Sequence, residues 1–197
     1  MIRGVIFDWG GVLIKDPAPG LYSYCGKYFG VSKKKFELAW NSSYVPFELG
    51  QIQEKDYWKT INKLLGTKKE VNFSLWTEAF DRVYKEEKEV FDLARKLRKK
   101  GYRIGCISNI EKPAMDFFLR RKYNLFDSEV FSCKVGVMKP SPRIFRLSLK
   151  ELGLKPSEAL FIDDKIKNVI GATKVGINGI VYRNRLQLHS ELAVYKL

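Results

Sequence analysis

The sequence has few of the residues on which disulfide frameworks and thiolate metal sites depend. It contains three cysteines, Cys25, Cys106 and Cys133, and no two of them form a CxxC pair. We therefore expect neither a disulfide framework nor a zinc site, but ordinary buried thiols. The single histidine, His189, lies near the C-terminus and away from the polar motifs described below. We expect it to be exposed and to have no catalytic part.

Long apolar runs are also missing from this chain. The segment before Asp8 holds a short apolar stretch and one early basic residue, Arg3, which is too short for a secretory signal or a membrane span. We therefore expect a cytoplasmic protein with no membrane association. The composition, 45% hydrophobic and 14% aromatic in 197 residues, is sufficient for a full core.

Acidic residues are scarce relative to basic ones, and this imbalance raises the possibility of nucleic-acid binding. The chain has 36 Lys and Arg against 22 Asp and Glu, a formal charge of +14. The basic residues are dispersed, however, and the run at 98–100 falls in the predicted last turn of a helix before Gly101, where cations complement the helix dipole. We do not expect a nucleic-acid partner, although a basic surface would attract anionic substrates.

Short apolar runs predict four β-strands alternating with α-helices. The runs cover 5–7, 103–107, 159–162 and 179–182. Three predicted helical faces lie between them: Val90, Ala94 and Leu97; Ile144, Phe145, Ser148, Leu149 and Leu152, with Ser141 as N-cap and Gly153 after the end; and Ile166, Val169, Ile170 and Thr173. This alternation predicts an α/β, Rossmann-like core with a parallel sheet.

Residues 15–88 differ from the rest because they contain helical patterns and no convincing strand. Apolar residues recur at helical spacing in three groups: Phe36, Leu38, Ala39 and Trp40; Tyr57, Trp58, Ile61, Leu64 and Leu65; and Trp76, Phe80, Val83 and Tyr84. We predict a helical cap domain at 15–88, inserted into a core domain formed by 1–14 and 89–197. The aromatic residues of the insert are expected to pack its core.

Polar residues follow several predicted strands. Asp8 ends the apolar run of GVIFDWGGVLI, Ser108 and Asn109 end the second strand, and Asp163 and Asp164 end the third, while Lys139 lies in the loop VGVMKPSP. Parallel strands would bring these groups to one edge of the sheet. Carboxylates, small hydrogen-bonding groups and one ammonium suit phosphoryl transfer, in which a carboxylate attacks phosphorus and Mg²⁺ and lysine screen the charge.

Each of these residues also has a structural interpretation. Asp8, considered alone, fits an Asx turn, and Lys139 fits a solvated loop charge. Asp164 and Asn168 could cap the following helix, which for Asn168 is at least as good an interpretation as a role in a site. Only the ordered combination of the motifs favours function.

The ordered set FDWGGV, ISN, VGVMKPSPRIF and FIDD, with a helical insert after the first motif, resembles the haloacid dehalogenase superfamily of hydrolases. The resemblance covers nearly the whole chain. The Gly two places after the first Asp, the ISN and MKP motifs, and a DD motif followed by Asn168 are most similar to the branch of small sugar-phosphate phosphatases that includes α-D-glucose-1-phosphate phosphatase.

This resemblance implies a role for each matching position. Asp8 would be the nucleophile, and Asp8, the Gly10 carbonyl and Asp163 would bind Mg²⁺, with Asp164 as a further acid at or behind the metal. Ser108, Asn109 and Lys139 would bind the substrate phosphate, and Lys139 would also keep Asp8 ionised. The insert would close over a small phosphorylated substrate and select its leaving group.

Gly10 is a departure from the superfamily pattern, because most of its phosphatases have an Asp there that protonates the leaving alcohol. Two explanations are open: the substrate has an easily expelled leaving group, or another acid, Glu48 or Asp164, replaces the missing one. A metal-independent dehalogenase-type hydrolase and a non-catalytic phosphate-binding or basic interaction protein remain alternatives to the phosphatase. Oligomeric state is not predicted.

Overall fold

The computed structural model describes residues 1–197 and contains one five-stranded parallel sheet in the order β3-β2-β1-β4-β5. This confirms the predicted α/β class with a parallel sheet. The strands are β1 (Gly4–Phe7), β2 (Arg103–Ser108), β3 (Ser128–Phe131), β4 (Ala159–Asp163) and β5 (Asn178–Val181).

Eleven helices accompany the sheet, and five of them lie between β1 and β2. These five insert helices are α1 (Ala18–Phe29), α2 (Lys33–Asn41), α3 (Tyr44–Glu48), α4 (Glu54–Leu65) and α5 (Leu75–Val83). The others are α6 (Lys88–Lys99), α7 (Lys112–Arg120), α8 (Ser132–Val135), α9 (Pro142–Leu152), α10 (Ile166–Thr173) and α11 (Arg185–Val194). No helix has the length and apolar character that crossing a membrane requires.

The central strands form because their residues are apolar on both faces. Val5 and Phe7 of β1 point into a cluster with α6, α7, α11 and the insert, whereas Ile6 points into a second cluster with α9 and α10. A strand covered on both faces has a continuous hydrophobic sequence, as β1 and β4 have. The chain crosses to opposite sides of β1 to form β2 and β4, which creates a topological switch point beside β1.

The four predicted strands are confirmed within one residue at each end, but β3 was not predicted. Its sequence SEVF has four residues and only two apolar ones, a signal too weak for a strand at the edge of the sheet. The insert contains no strand, as expected, and helices α2, α4 and α5 lie where the three aromatic groups predicted them. Helices α1, α3, α7, α8 and α11 were not predicted.

The predicted helical faces are confirmed for α6 and α9 but wrong for α10. All five residues of the α9 stripe are buried, and Gly153 ends that helix, although Ser141 occupies the N-cap position without a side-chain cap. In α10, Ile166 and Ile170 are exposed, and the buried face is formed by Asn168, Val169, Gly171 and Ala172. Leu38 and Leu64 of the insert are exposed as well.

The thiols and the histidine lie close to where the sequence suggested. Cys25 and Cys106 are buried and unpaired, but Cys133 is half-buried, so the expectation of three buried thiols is wrong for Cys133. His189 is exposed on α11.

Aromatic packing builds the interior of the insert and joins the insert to the sheet. The rings of Trp40 and Trp76 stack with centroids 4.4 Å apart and an interplanar angle of 6°. Trp9, which follows β1, stacks on Phe80 of α5 at 5.2 Å and meets Phe118 of α7 edge-on at 5.2 Å. One tryptophan therefore packs between the insert and the core helices, directly beside Asp8.

The end of α3 fits tightly against the start of α8. Gly50 has a φ of +68°, and a Cβ built on it would lie 2.2 Å from the carbonyl oxygen of Cys133. Since this neighbour is backbone, it cannot move aside as a flexible side chain can. Position 50 therefore requires glycine for two reasons: the backbone of Cys133 leaves no room for a side chain, and the backbone of residue 50 is left-handed.

We predict that Gly50→Ala destabilises the protein more than Gly66→Ala. Gly66 has a φ of +70° but nothing within 4 Å of its added Cβ. Both variants incur the left-handed strain of roughly 1–2 kcal/mol, and Gly50→Ala adds about 1–3 kcal/mol of overpacking. Urea unfolding of both variants measures the difference, and equal losses would contradict the close contact between α3 and α8.

Candidate active site

Two carboxylates lie side by side at the carboxyl ends of adjacent strands. Phe7 pairs with Ile162 in the register of β1 and β4, and the N–H of Asp8 donates to the carbonyl of Ile162 at 2.8 Å. Asp8 and Asp163 therefore occupy equivalent positions across the switch point, where ligands bind in open parallel sheets. The Oδ1 of Asp8 accepts the N–H of Trp9 at 2.6 Å, which holds the carboxylate at the strand end.

Lys139 bridges these two carboxylates from the loop between α8 and α9. Its Nζ lies 2.9 Å from Oδ2 of Asp8 and 2.6 Å from Oδ2 of Asp163, and it donates to the carbonyl of Ile107 at 3.0 Å. The exposed fractions of Asp8, Lys139 and Asp163 are 5%, 2% and 0%. The interpretation of Lys139 as a solvated loop charge is therefore wrong.

The ISN motif also meets this loop. The side-chain Oδ1 of Asn109 accepts the N–H of Lys139 at 2.8 Å, and its Nδ2 donates to the Lys139 carbonyl at 3.0 Å. Asn109 therefore fixes the backbone from which the ammonium projects. Ser108 is buried at the end of β2, and both residues line the cavity above the sheet.

Asn168 and Asp164 do not cap the helix that follows β4. Lys165 occupies the N-cap position of α10, and Asn168 lies inside the helix with its Nδ2 donating to both carboxylate oxygens of Asp163 at 3.0 Å. The N–H of Lys165 donates to Oδ1 of Asp163 at 2.8 Å. These bonds orient Asp163 and explain why α10 turns Asn168 inward.

The carboxylates form a group suited to a cation. Asp8, Asp163 and Asp164 each offer an oxygen, and these oxygens lie within 4.8 Å of one another. Oδ1 of Asp164 is buried without a hydrogen-bond partner, an arrangement that is costly unless something else satisfies it. A hard divalent ion that prefers oxygen ligands, such as Mg²⁺, fits this donor set.

The two glycines that follow Trp9, Gly10 and Gly11, differ in whether the structure requires a glycine at that position. Gly11 has a φ of +87°, and a Cβ there would lie 2.7 Å from Cγ of Asp164, so the backbone approaches the acidic group closely. Gly10 lines the cavity, and a Cβ there would make only an ordinary contact of 3.5 Å with Cδ of Pro17. Packing therefore requires Gly11 but leaves room for a side chain at residue 10.

The single positive charge of Lys139 faces two carboxyl groups, Asp8 and Asp163, and it affects their pKa values unequally. Burial and the charge of Asp163 raise the pKa of Asp8 to about 8, against the opposing charge of Lys139. Burial also acts to raise the pKa of Asp163, but the charge and hydrogen bond of Lys139 outweigh it, so that pKa is lowered. The charge of Lys139 lowers the pKa of Asp8 but does not offset burial and Asp163, and an additional cation beside the carboxylates would favour the ionised form further.

A cavity of about 380 Å³ lies above these residues, between the sheet and the insert. Its aromatic wall comes mainly from the insert and consists of Trp9, Tyr22, Trp40, Tyr44, Trp76 and Phe80. Glu48 and Glu111 also line it, and Oε2 of Glu111 accepts the indole N–H of Trp76 at 2.8 Å. Sequence reasoning missed Glu111, although it lies two residues after the ISN motif, and it gave Trp76 only a packing role.

These features define an α/β enzyme fold with a buried acidic site beneath a cavity. The chain belongs to the haloacid dehalogenase-like hydrolases, whose family model matches residues 2–176. This confirms the resemblance at the level of the superfamily and identifies the chain as a hydrolase. No helix outside the matched region contributes to the cavity.

Two relatives illustrate the similarity in sequence. The chain is 31% identical over 191 residues to acyl-CoA dehydrogenase family member 10 of Mus musculus, covering 90% of this chain and 18% of that protein. It is 29% identical over 199 residues to the sesquiterpene phosphatase astK of Aspergillus oryzae, covering 96% of this chain and 94% of that protein. The chain thus spans a small part of the first relative and nearly all of the second.

A solved structure shows the same fold. A HAD family enzyme from Bacteroides thetaiotaomicron, solved in complex with magnesium and inorganic phosphate, superposes with a TM-score of 0.76 at 23% identity. The match covers 93% of this chain and 95% of that one. Magnesium and phosphate are therefore ligands of a protein that shares this architecture.

We predict that Lys139→Met destabilises the protein much more than Lys112→Met. Lys112 also makes an ion pair, at 2.8 Å to Asp116, but these two side chains are 62% and 42% exposed. Removing the buried ammonium leaves two buried carboxyl groups without a compensating charge, which should lower the free energy of unfolding by roughly 3–5 kcal/mol. Losing the exposed pair should lower it by about 0–1 kcal/mol. Urea unfolding at pH 7 measures both losses.

The same comparison has an expected pH dependence. Without Lys139 the folded-state pKa of Asp163, which Lys139 lowers in the wild type, rises above its unfolded value. As the pH falls, the folded variant then binds a proton before the unfolded chain does, which stabilises the folded state. The deficit of Lys139→Met should therefore shrink from pH 7 to pH 5. A deficit no larger than that of Lys112→Met would contradict the buried ion pairs.

Proposed function

We propose that this protein is a Mg²⁺-dependent phosphatase that hydrolyses a small phosphate monoester through an aspartyl phosphate on Asp8. The observation that carries the proposal is the buried cluster of Asp8, Lys139 and Asp163 at the switch point, beneath a cavity of suitable size. A carboxylate fixed at both oxygens, beside an ammonium that can stabilise transferred phosphoryl oxygens, supports nucleophilic attack on phosphorus.

The chain's own groups divide the work in this proposal. Asp8 supplies the attacking oxygen, and Lys139 offers its charge to the phosphoryl group. Ser108 and Asn109 bind phosphate oxygens, while the side-chain amide of Asn109 also holds the Lys139 backbone in place. Asn168 orients Asp163 through two hydrogen bonds.

In this proposal Mg²⁺ is held by Asp8, the Gly10 carbonyl and Asp163, with Asp164 adjacent. The donor set supports this, because hard oxygen ligands converge and Oδ1 of Asp164 lacks a partner. When bound, the ion supplies positive charge that reduces repulsion between the carboxylate and the phosphate.

Residues 15–88 act as a cap domain over the core of 1–14 and 89–197 in this proposal. The insert provides most of the aromatic wall of the cavity, so it excludes water from the reacting groups and contacts the leaving group. The cavity wall from the insert is mainly aromatic, whereas the sheet edge carries the carboxylates and Lys139. In this proposal the cap therefore selects the substrate, and the core carries out the chemistry. The protein is proposed to act in the cytoplasm.

A sugar phosphate is the first candidate substrate, supported by the resemblance to the branch that includes α-D-glucose-1-phosphate phosphatase. A second candidate is a phosphate monoester with an apolar or aromatic body. It is favoured by the stacked Trp40 and Trp76 in the cavity wall and by the similarity to a sesquiterpene phosphatase. Metal dependence separates both candidates from a dehalogenase, and turnover separates them from a binding protein.

We predict Mg²⁺-dependent phosphate release that is lost in Asp8→Asn. The panel includes hexose 1- and 6-phosphates, a sesquiterpenyl phosphate and 4-nitrophenyl phosphate, each with Mg²⁺ and with EDTA. Asp92→Asn, an exposed aspartate on α6, is the control and should match wild type. The preferred ester identifies the leaving-group class, and turnover of haloacids without metal would overturn the proposal.

We also predict that Mg²⁺ stabilises the wild-type protein but has much less effect on Asp164→Asn. Ligand at a hundredfold excess over its Kd adds about 2.7 kcal/mol, which corresponds to a rise in Tm of roughly 5–10 °C for a chain of this size. Thermal unfolding with MgCl₂ or EDTA measures the effect. Equal shifts in wild type and Asp164→Asn would contradict a part for Asp164 in the metal site.

A further inference from the structure

The proposed reaction needs a proton donor that the core does not supply. When a carboxylate displaces an alcohol from phosphorus, the leaving oxygen carries negative charge until it is protonated. Gly10, which lines the cavity beside Asp8, has no side chain. Apart from Asp8, the carboxylic acids that line the cavity are Asp16, Glu48 and Glu111, whereas Asp164 does not reach it.

Two of these three acids are already engaged. Glu111 is 5% exposed, and its Oε2 accepts the indole N–H of Trp76 at 2.8 Å. Asp16 is exposed, and its Oδ1 accepts the N–H of Ala18 at 3.1 Å at the start of α1. The carboxyl of Glu48 is half-buried and has no hydrogen-bond partner in the protein. Glu48 is therefore the acid available to the contents of the cavity.

The backbone of Glu48 is fixed to the core, although the residue belongs to the insert. Oγ of Ser132 donates to the Glu48 carbonyl at 2.7 Å and accepts the N–H of Ile110 at 2.9 Å. Gly50 packs directly on the carbonyl of Cys133. Both contacts join the end of α3 to the strand ends that carry the site, so Glu48 keeps its position relative to Asp8.

We propose that Glu48 donates the proton to the leaving oxygen, a role that depends on the phosphatase function proposed above. An oxygen of Asp8 bonds to phosphorus, the bond from phosphorus to the ester oxygen breaks, and that oxygen takes the Glu48 proton and departs as the alcohol. Water then attacks phosphorus and gives a proton to the Glu48 carboxylate. The bond from phosphorus to Asp8 breaks, and phosphate leaves with both carboxyl groups restored.

The surroundings of Glu48 keep it in the form that a donor requires. Burial raises the pKa of Glu48 to about 9, the charge of Glu111 adds to this rise, and the lysines oppose it. Burial raises the pKa of Glu111 to about 7, against the indole N–H of Trp76. The titratable groups that face Glu48 come from four other parts of the fold: Tyr22 of α1, Glu111 at the N-cap of α7, Lys139, and Lys165 and Lys167 at the start of α10.

Two esters of similar shape isolate the proton transfer. Benzyl phosphate releases a poorly acidic primary alcohol, which needs protonation, whereas 4-nitrophenyl phosphate releases a stable phenolate, which does not. For Glu48→Gln we expect kcat/KM to fall roughly 10²- to 10⁴-fold on benzyl phosphate, the usual value of general acid catalysis, and less than about 10-fold on 4-nitrophenyl phosphate. Glu70→Gln, a surface acid of the insert, is the control for both esters.

The pH profile provides a second readout. In wild type, turnover of benzyl phosphate should decline as the pH rises through about 9, since the donor loses its proton there. Wild-type turnover of 4-nitrophenyl phosphate should not decline in this pH range. Turnover by Glu48→Gln should not decline there on either ester. Retained activity on 4-nitrophenyl phosphate shows that the variant is folded.

The possible outcomes separate this inference from the proposed function. Equal losses of kcat/KM on both esters in Glu48→Gln would overturn the role of Glu48 but not the proposed phosphatase function. A selective loss on benzyl phosphate in Asp16→Asn, and not in Glu48→Gln, would have the same meaning. Wild-type turnover of 4-nitrophenyl phosphate without any of benzyl phosphate would do the same. Absence of Asp8-dependent turnover on both esters would overturn the phosphatase and the role of Glu48 together.

Discussion

The ion pairs of Lys139 with Asp8 and Asp163 are the interaction on which the site depends. Three ionisable groups are buried at the switch point, and neither carboxyl group could be an anion there without a neighbouring positive charge. Buried ion pairs of this kind rarely repay their desolvation in stability, so their presence in a cavity floor indicates a chemical use. The remaining bonds, from Asn109, Asn168 and Trp9, hold these charges in position.

Two tryptophans couple the insert to this charged floor. Trp9 donates its backbone N–H to Asp8 while its ring packs against α5 and α7, and Trp76 stacks within the insert while its indole N–H reaches Glu111. Two side chains of the cavity wall are thus held by contacts with both the insert and the core. Such an arrangement places Glu48 of α3 and Asp8 of the sheet edge on the lining of one cavity.

The sequence allowed the inner strands and the polar strand ends to be predicted, because each depends on local signals. The continuous apolar runs of β1 and β4 identify buried parallel strands, and an acid at the end of such a run lies at the ligand-binding edge. Strand β3 lacks that signal since it is short and lies at the edge. Helix α1 was missed because it contains Gly20 and Gly26, yet a Cβ on Gly20 would lie 2.7 Å from Val83.

Other features depend on tertiary contacts that no periodicity encodes. Helix α10 turns Asn168 inward to bond Asp163 and brings Gly171 against the backbone of Pro140, so Ile166 and Ile170 face outward. The choice of Glu48 among the acids of the insert depends likewise on how α3 meets the start of α8. Sequence reasoning proposed Glu48 as one of two replacements for an acid at residue 10, but only the packing distinguishes it from Asp164.

The most direct test of the central proposal is to trap the phosphorylated enzyme. During turnover of 4-nitrophenyl phosphate with Mg²⁺, quenching with borohydride should reduce an acyl phosphate, and mass spectrometry should find homoserine at residue 8. The same treatment without substrate should leave Asp8 unchanged. An enzyme that turns over the ester and yields no reduction at residue 8, or reduction at a different carboxylate, would contradict Asp8 as the nucleophile.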